Sequence, residues 1–148
     1  MLYSAYVSGN APVFRAILEL YLPPGSIIAD VTYGKGIFWR DVPKDQYVLL
    51  PSDLLTGTDC RKLPYHDESV AAVVLDPPWR QGRGGSGTYT QFLTYYGGPQ
   101  AVQDTLKLYV EAAREAWRIL RRKGRLIVKC QDQVQWTVQH WTHIDIVN

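Results

Sequence analysis

Val70-Ala71-Ala72-Val73-Val74-Leu75-Asp76-Pro77-Pro78-Trp79 decides how the rest of this chain is read. Its first six residues are apolar without alternation. A strand with one wet face alternates, whereas a strand covered on both faces does not, so Val70 to Leu75 reads as a buried strand of a parallel sheet. Two prolines cannot continue a hydrogen-bonded ladder, so the strand ends at Asp76. The sequence therefore sets a carboxylate and two rigid, donor-free peptide units at the carboxyl edge of a sheet. In open parallel sheets that edge is where ligands bind.

Working upstream, Gln46 to Leu50 (QYVLL) reads as a second short strand running into Pro51-Ser52-Asp53. Ser26 to Val31 (SIIADV) is a third, followed by the tight turn Thr32-Tyr33-Gly34-Lys35-Gly36. Ile37 to Val42 begins a helix that Pro43 stops. Residues 11–22 carry Val13, Phe14, Ile17, Leu18 and Tyr21 at helical spacing, and Pro23-Pro24-Gly25 terminates them. Downstream, residues 80–100 hold six glycines and read as a long loop. Residues 101–121 form a helix with Leu106, Tyr109, Val110, Ala113, Trp117 and Leu120 on one face. Arg121, Arg122 and Lys123 suit its negative end and Gly124 its terminating position. Arg125 to Lys129 (RLIVK) is a further strand, ending at Lys129-Cys130-Gln131-Asp132; residues 130–148 carry no clear pattern. Strands alternating with helices predict an α/β domain with a mostly parallel sheet flanked by helices.

The chain has 148 residues, the length of one domain, and 46% of them are hydrophobic against 20% charged. Such a composition excludes disordered and collagen-like classes. A net charge of +2 permits nucleic acid as a partner without demanding it. Cys60 and Cys130 show no metal-ligand spacing and read as reduced thiols of a cytoplasmic protein. No apolar run approaches the roughly 20 residues that cross a bilayer, so no membrane partner is expected.

Chemistry concentrates at the strand ends. Gly34 and Gly36 let the backbone approach a ligand closely. They do not make a dinucleotide fingerprint, which needs glycine where Trp39 stands, and they equally fit an ordinary strand-to-helix turn. Asp53 and Asp59 can accept from ribose hydroxyls or an adenine amine, or can be solvated loop carboxylates. At Asp76-Pro77-Pro78-Trp79 a carboxylate and a fixed carbonyl can together hold both hydrogens of an NH₂ group. Trp79 offers a face for stacking a base, worth ~1–3 kcal/mol in nucleic-acid complexes, or else belongs to a rigid turn as a core side chain.

These residues resemble the amino-methylating S-adenosylmethionine-dependent methyltransferases, the DNA adenine-N6 and cytosine-N4 methylases, over about residues 10–132. Asp76 to Trp79 matches the family's [DNS]PP[YFW] motif. Ala29 to Gly36 resembles its cofactor turn, Thr58 to Pro64 the segment that cups the cofactor adenine, and Ser8-Gly9-Asn10 the segment closing over the methionine end. The resemblance implies a Rossmann-like class I fold with S-adenosylmethionine as cofactor. Asp30, Thr32, Tyr33, Gly34 and Gly36 would hold its methionine end, Asp53 its ribose, and Asp59 with Cys60 its adenine. Asp76 and the Pro77 carbonyl would grip the target amine, with Pro78 keeping the turn rigid, and Trp79 would stack on the flipped base. No metal is implied. The Asp-led motif resembles adenine-directed members, with DNA favoured over RNA.

Two departures shape the expectation. The family continues past the last strand with a further helix and strand pair, which leaves open a natural minimal form, one half of an assembly, or a chain cut short of its C-terminal strands. The family's separate target-recognition domain is also missing, which leaves loop 80–100, with Arg80, Arg83 and Tyr89, to contact the substrate, or a homodimer mate or partner subunit to supply specificity. Alternatives are an RNA adenine or protein glutamine methyltransferase, a non-catalytic nucleic-acid-binding relative, and an unrelated α/β nucleotide-binding domain.

Overall fold

The computed structural model describes residues 9–77, 102–135 and 137–147. Four parallel strands, β1 (Ile27–Asp30), β2 (Val48–Pro51), β3 (Val70–Leu75) and β4 (Leu120–Val128), form one sheet in the order β2-β1-β3-β4. Helix α1 (Asn10–Tyr21) precedes the sheet, and helix α2 (Val102–Ile119) leads into β4. An antiparallel pair, β5 (Gln133–Gln135) and β6 (Val138–His140), and the short helix α3 (Thr142–Val147) follow.

Two apolar clusters occupy the two faces. Ile28, Ala72 and Val74 point to one face, against Phe14, Leu18 and Leu22 from α1 and its exit, with Val42 and Tyr47 beside them. Ala29, Val31, Val73 and Leu75 point to the other, against Leu108, Tyr109, Ala112, Ala116 and Ile119 of α2. The odd–even split along β1 and β3 is the two-residue period of a strand. Both faces need covering, and all six residues of β3 are buried. Each large aliphatic side chain so enclosed contributes about 1.5–3 kcal/mol. The result is the expected three-layer, Rossmann-like α/β arrangement.

The structure corrects two expectations. The buried stripe of α2 is Thr105, Leu108, Tyr109, Ala112, Ala116 and Ile119; Val110 and Trp117, expected inside, are 44% and 81% exposed. Small side chains at 112 and 116 let the helix lie close to the sheet, so apolar bulk marked the wrong stripe. Second, Arg121 to Gly124 do not end the helix. Leu120 already pairs with Val70, and the register shifts before Arg125 pairs with Ala72. Lys123 takes the left-handed conformation there (φ 63°), while a Cβ on Gly124 would lie 2.8 Å from Leu120 Cδ2 and 3.2 Å from the Ala71 carbonyl oxygen. Gly124 is thus needed for close packing within the bulge, where the Arg121 carbonyl oxygen would also lie 2.9 Å from a Cβ, and not for a helix cap. The helix expected from Ile37 is present as a short 3-10 helix, Ile37–Asp41, between left-handed Gly36 and Pro43.

Candidate active site

β1 is followed in the sheet by β2 on one side and β3 on the other, so the chain order reverses between β1 and β3. A crevice opens where connections leave in opposite directions. Asp30 ends β1, and Asp76 directly follows β3. The strand ends are laced together there. Val31 N–H donates to the Val74 carbonyl at 3.1 Å, Ser52 N–H to the Asp30 carbonyl at 2.8 Å, and Lys129 N–H to the Leu75 carbonyl at 3.0 Å.

Asp30 is 2% exposed. Its Oδ1 accepts from the Thr32 N–H at 3.2 Å and its Oδ2 from the Trp39 indole N–H at 2.6 Å. Burial raises the carboxyl to about 6, against the pull of those two donors. Both oxygens are therefore engaged by the protein. The 3-10 helix brings Trp39 to this point, where its ring also meets Phe14 edge-on at 5.1 Å.

The two glycines of the turn do different work. Gly34 (φ 54°) has open space where a Cβ would stand, with no heavy atom nearer than the Thr32 carbonyl oxygen at 3.9 Å. Its N–H donates to Asp53 Oδ2 at 3.1 Å, while Asp53 Oδ1 takes the Leu55 N–H at 2.8 Å, so Asp53 fixes the turn to the end of β2. Gly36 (φ 65°) lies under the Tyr33 ring, whose Cζ would be 2.6 Å from a Cβ there. Tyr33 and Gly36 line a separate hollow with Trp39, Arg40, Lys44 and Tyr47. Gly34 thus borders open space, and Gly36 accommodates Tyr33.

Asp76 is held at both ends. Its N–H donates to Thr32 Oγ1 at 2.7 Å. Its carboxylate receives Lys129 Nζ at 3.3 Å (Oδ1) and 3.1 Å (Oδ2). Burial pushes this carboxyl up and the Lys129 charge opposes the push. Pro77 is fully buried behind it.

Asp59 and Cys60 lie on the segment between β2 and β3, and the Asp53 carboxylate is among the charges acting on Cys60. Both Asp59 oxygens are gripped by Arg61, at 2.7 Å for the shortest contact, which holds the carboxyl below its usual range. Cys60 belongs to the apolar cluster under α2, and burial pushes its thiol up to about 11. It and Cys130 are both free thiols. Pro78, Trp79, Arg80, Arg83 and Tyr89 lie outside the described residues. Among the described residues no three His, Cys, Asp or Glu side chains gather as metal ligands, and no helix is long and apolar enough to cross a membrane.

Sequence reasoning set Lys129, with Cys130 to Asp132, at the same sheet edge without pairing it with Asp76, and gave no role to Trp39 or Phe38. Lys129 stood in plain view at the end of the last strand, one strand over from Asp76. Trp39 gave no signal, because its reach to Asp30 depends on the pitch of a five-residue 3-10 helix.

No family model matches the chain, and no curated protein matches it. Among solved structures it is similar to a protein of Anabaena variabilis described as a candidate methyltransferase of an antibiotic biosynthesis pathway, at 17% identity and a TM-score of 0.39, over 90% of this chain and 50% of that one. It is also similar to a Thermotoga maritima protein described as a methyltransferase dependent on S-adenosylmethionine and a candidate histamine N-methyltransferase, at 19% identity and a TM-score of 0.34, over 82% of this chain and 50% of that one. The chain spans about half the length of both.

Proposed function

We propose that this chain transfers a methyl group from S-adenosylmethionine to the exocyclic amino group of a nucleic-acid base, adenine in DNA being the preferred target. The observation that carries the reading is the place of Asp76-Pro77. A part-buried carboxylate and a proline carbonyl stand at the carboxyl end of the central strand, beside the reversal of strand order, across from Asp30 and the Gly34 turn. The residues fit the cofactor at Gly34, where the space a side chain would fill is open, and at Asp53, whose carboxylate keeps lone pairs beyond its two backbone donors.

When bound, the cofactor supplies an electrophilic methyl group on a positively charged sulfur, which leaves as a neutral thioether when the carbon–sulfur bond breaks. The chain supplies position and charge. Asp76 and the Pro77 carbonyl accept the two N–H bonds of the target amine and turn its lone pair toward the methyl carbon. The negative carboxylate stabilises the positive charge that grows on nitrogen, and the surplus proton departs by way of that carboxylate to water. Loop 80–100, with Arg80, Arg83 and Tyr89, and a second copy or partner subunit are the proposed sources of target recognition.

Calorimetric titration with S-adenosylmethionine, followed by mass spectrometry of an adenine-containing duplex, tests the reading. The chain should bind at one site and produce N6-methyladenine. Asp76→Ala should keep cofactor affinity within a few-fold while transfer falls by about 10²–10³-fold, the loss typical of removing one charge-stabilising group. Full transfer by Asp76→Ala would sink the mechanism.

A further inference from the structure

Lys129 is the first residue beyond β4, and its backbone is fixed from two sides. Its N–H donates to the Leu75 carbonyl at 3.0 Å. Its carbonyl accepts from the Tyr109 hydroxyl at 2.8 Å, and Tyr109 is buried in α2. From this anchor the side chain crosses the end of β3 to reach both Asp76 oxygens. The ammonium group also lies 5.4 Å from the centre of the Phe38 ring, a cation–π distance. Three elements thus converge to hold one ammonium group against one carboxylate.

The charge environment of Asp76 makes that contact consequential. Burial pushes the Asp76 carboxyl toward its protonated form, and Asp76 in turn acts as a negative charge on Asp30 of β1, Tyr109 of α2 and Cys130 beyond β4. Lys129 supplies the opposing positive charge. A protonated Asp76 would present an O–H toward an N–H₂ group, donor against donor.

We propose that Lys129 is a positioning residue for methyl transfer: its ammonium group clamps both oxygens of Asp76, fixes the plane of the carboxylate, and keeps it in the acceptor form that receives the target amine. The inference rests on the proposed function for its chemical meaning. The clamp has its own readout, the titration of Asp76, which needs no turnover.

The experiment is a carbon-13 NMR titration of the Asp76 carboxyl in the full chain, assigned by its loss in Asp76→Asn, for the parent, Lys129→Met, Lys129→Gln and Lys129→Arg. Removing an opposite charge at this distance raises a carboxyl pKa by about 1–3 units. The Asp76 midpoint should therefore rise by at least about one unit in both neutral variants and return close to the parent in Lys129→Arg; two neutral variants guard against one failing to fold. The acid limb of kcat/KM for the adenine duplex should move up by the same amount, with cofactor affinity within a few-fold. An unmoved midpoint overturns the clamp. A moved midpoint with an unmoved rate profile overturns its part in transfer. A parent chain that methylates no duplex defeats the proposed function instead, and the midpoint then still decides whether Lys129 governs Asp76.

Discussion

Asp30 shows how folding can make a carboxylate both structural and costly. Its position at a strand end was legible, because a short apolar run stops at an acidic residue. Its partners were not, since Trp39 reaches it only through the tertiary path of the 3-10 helix. The sign of its effect follows from its raised pKa. Between the unfolded value of 3.8 and the folded value of about 6 the folded state binds the proton more tightly. The stability from Asp30 is therefore complete below 3.8 and is lost as pH rises through about 6. At 1.36 kcal/mol per pKa unit that loss is about 3 kcal/mol. Asp59 and Glu115, whose carboxyls are held low by Arg61 and Arg118, change stability in the opposite sense. Subtracting the urea-unfolding free energy of Asp30→Asn from that of the parent, from pH 4 to pH 8, isolates the effect. The difference should fall by most of that amount as pH rises, and a flat difference would show that Asp30 does not carry the strain.

Helix α2 and strand β4 show where elements are legible and where they are not. The existence of α2 follows from its composition, but not its orientation. A helix against a sheet selects its inward face by how closely it can approach, and Ala112 and Ala116, both at 0% exposure, allow that approach. Ala116→Leu should therefore overpack the interface and cost about 1–3 kcal/mol, while Trp117→Gln, on the exposed face, should stay within about 0.5 kcal/mol. Guanidinium unfolding curves of the two variants check this, and equal effects would refute the assigned face. Arg118 extends the helix contact sideways, pairing with Glu115 and Asp67 and donating to the Leu63 and Tyr65 carbonyls. A positive charge in the last turn is visible in sequence; that it ties down the segment before β3 is not. Nor was the early start of β4, because the bulge at Arg121 to Gly124 answers to the neighbouring strand rather than to any local pattern.

For the molecule as a whole, the parallel sheet and its carboxyl edge were readable from four apolar runs, and the candidate site was readable as the set of acidic and glycine residues that follow them. The pairing of Lys129 with Asp76 was not, because it needs the order of strands in space. That order has a cost in time. β3 is bordered by β1, reached through Ile28 with Ala72, and by β4, reached through Val73 with Leu126, so neither partner is local in the chain. Closing such distant contacts forfeits chain entropy before any stabilisation is gained, which slows folding relative to a helical protein of this length. Until β4 arrives, Val70 to Leu75 presents an apolar strand edge with no charge and no proline, the composition that pairs most readily with another copy. The segment that sets the Asp76 carboxylate in place is thus also the one most exposed to misassembly while the chain is folding, and synthesis from the amino end prolongs that interval, because β4 is made last of the four.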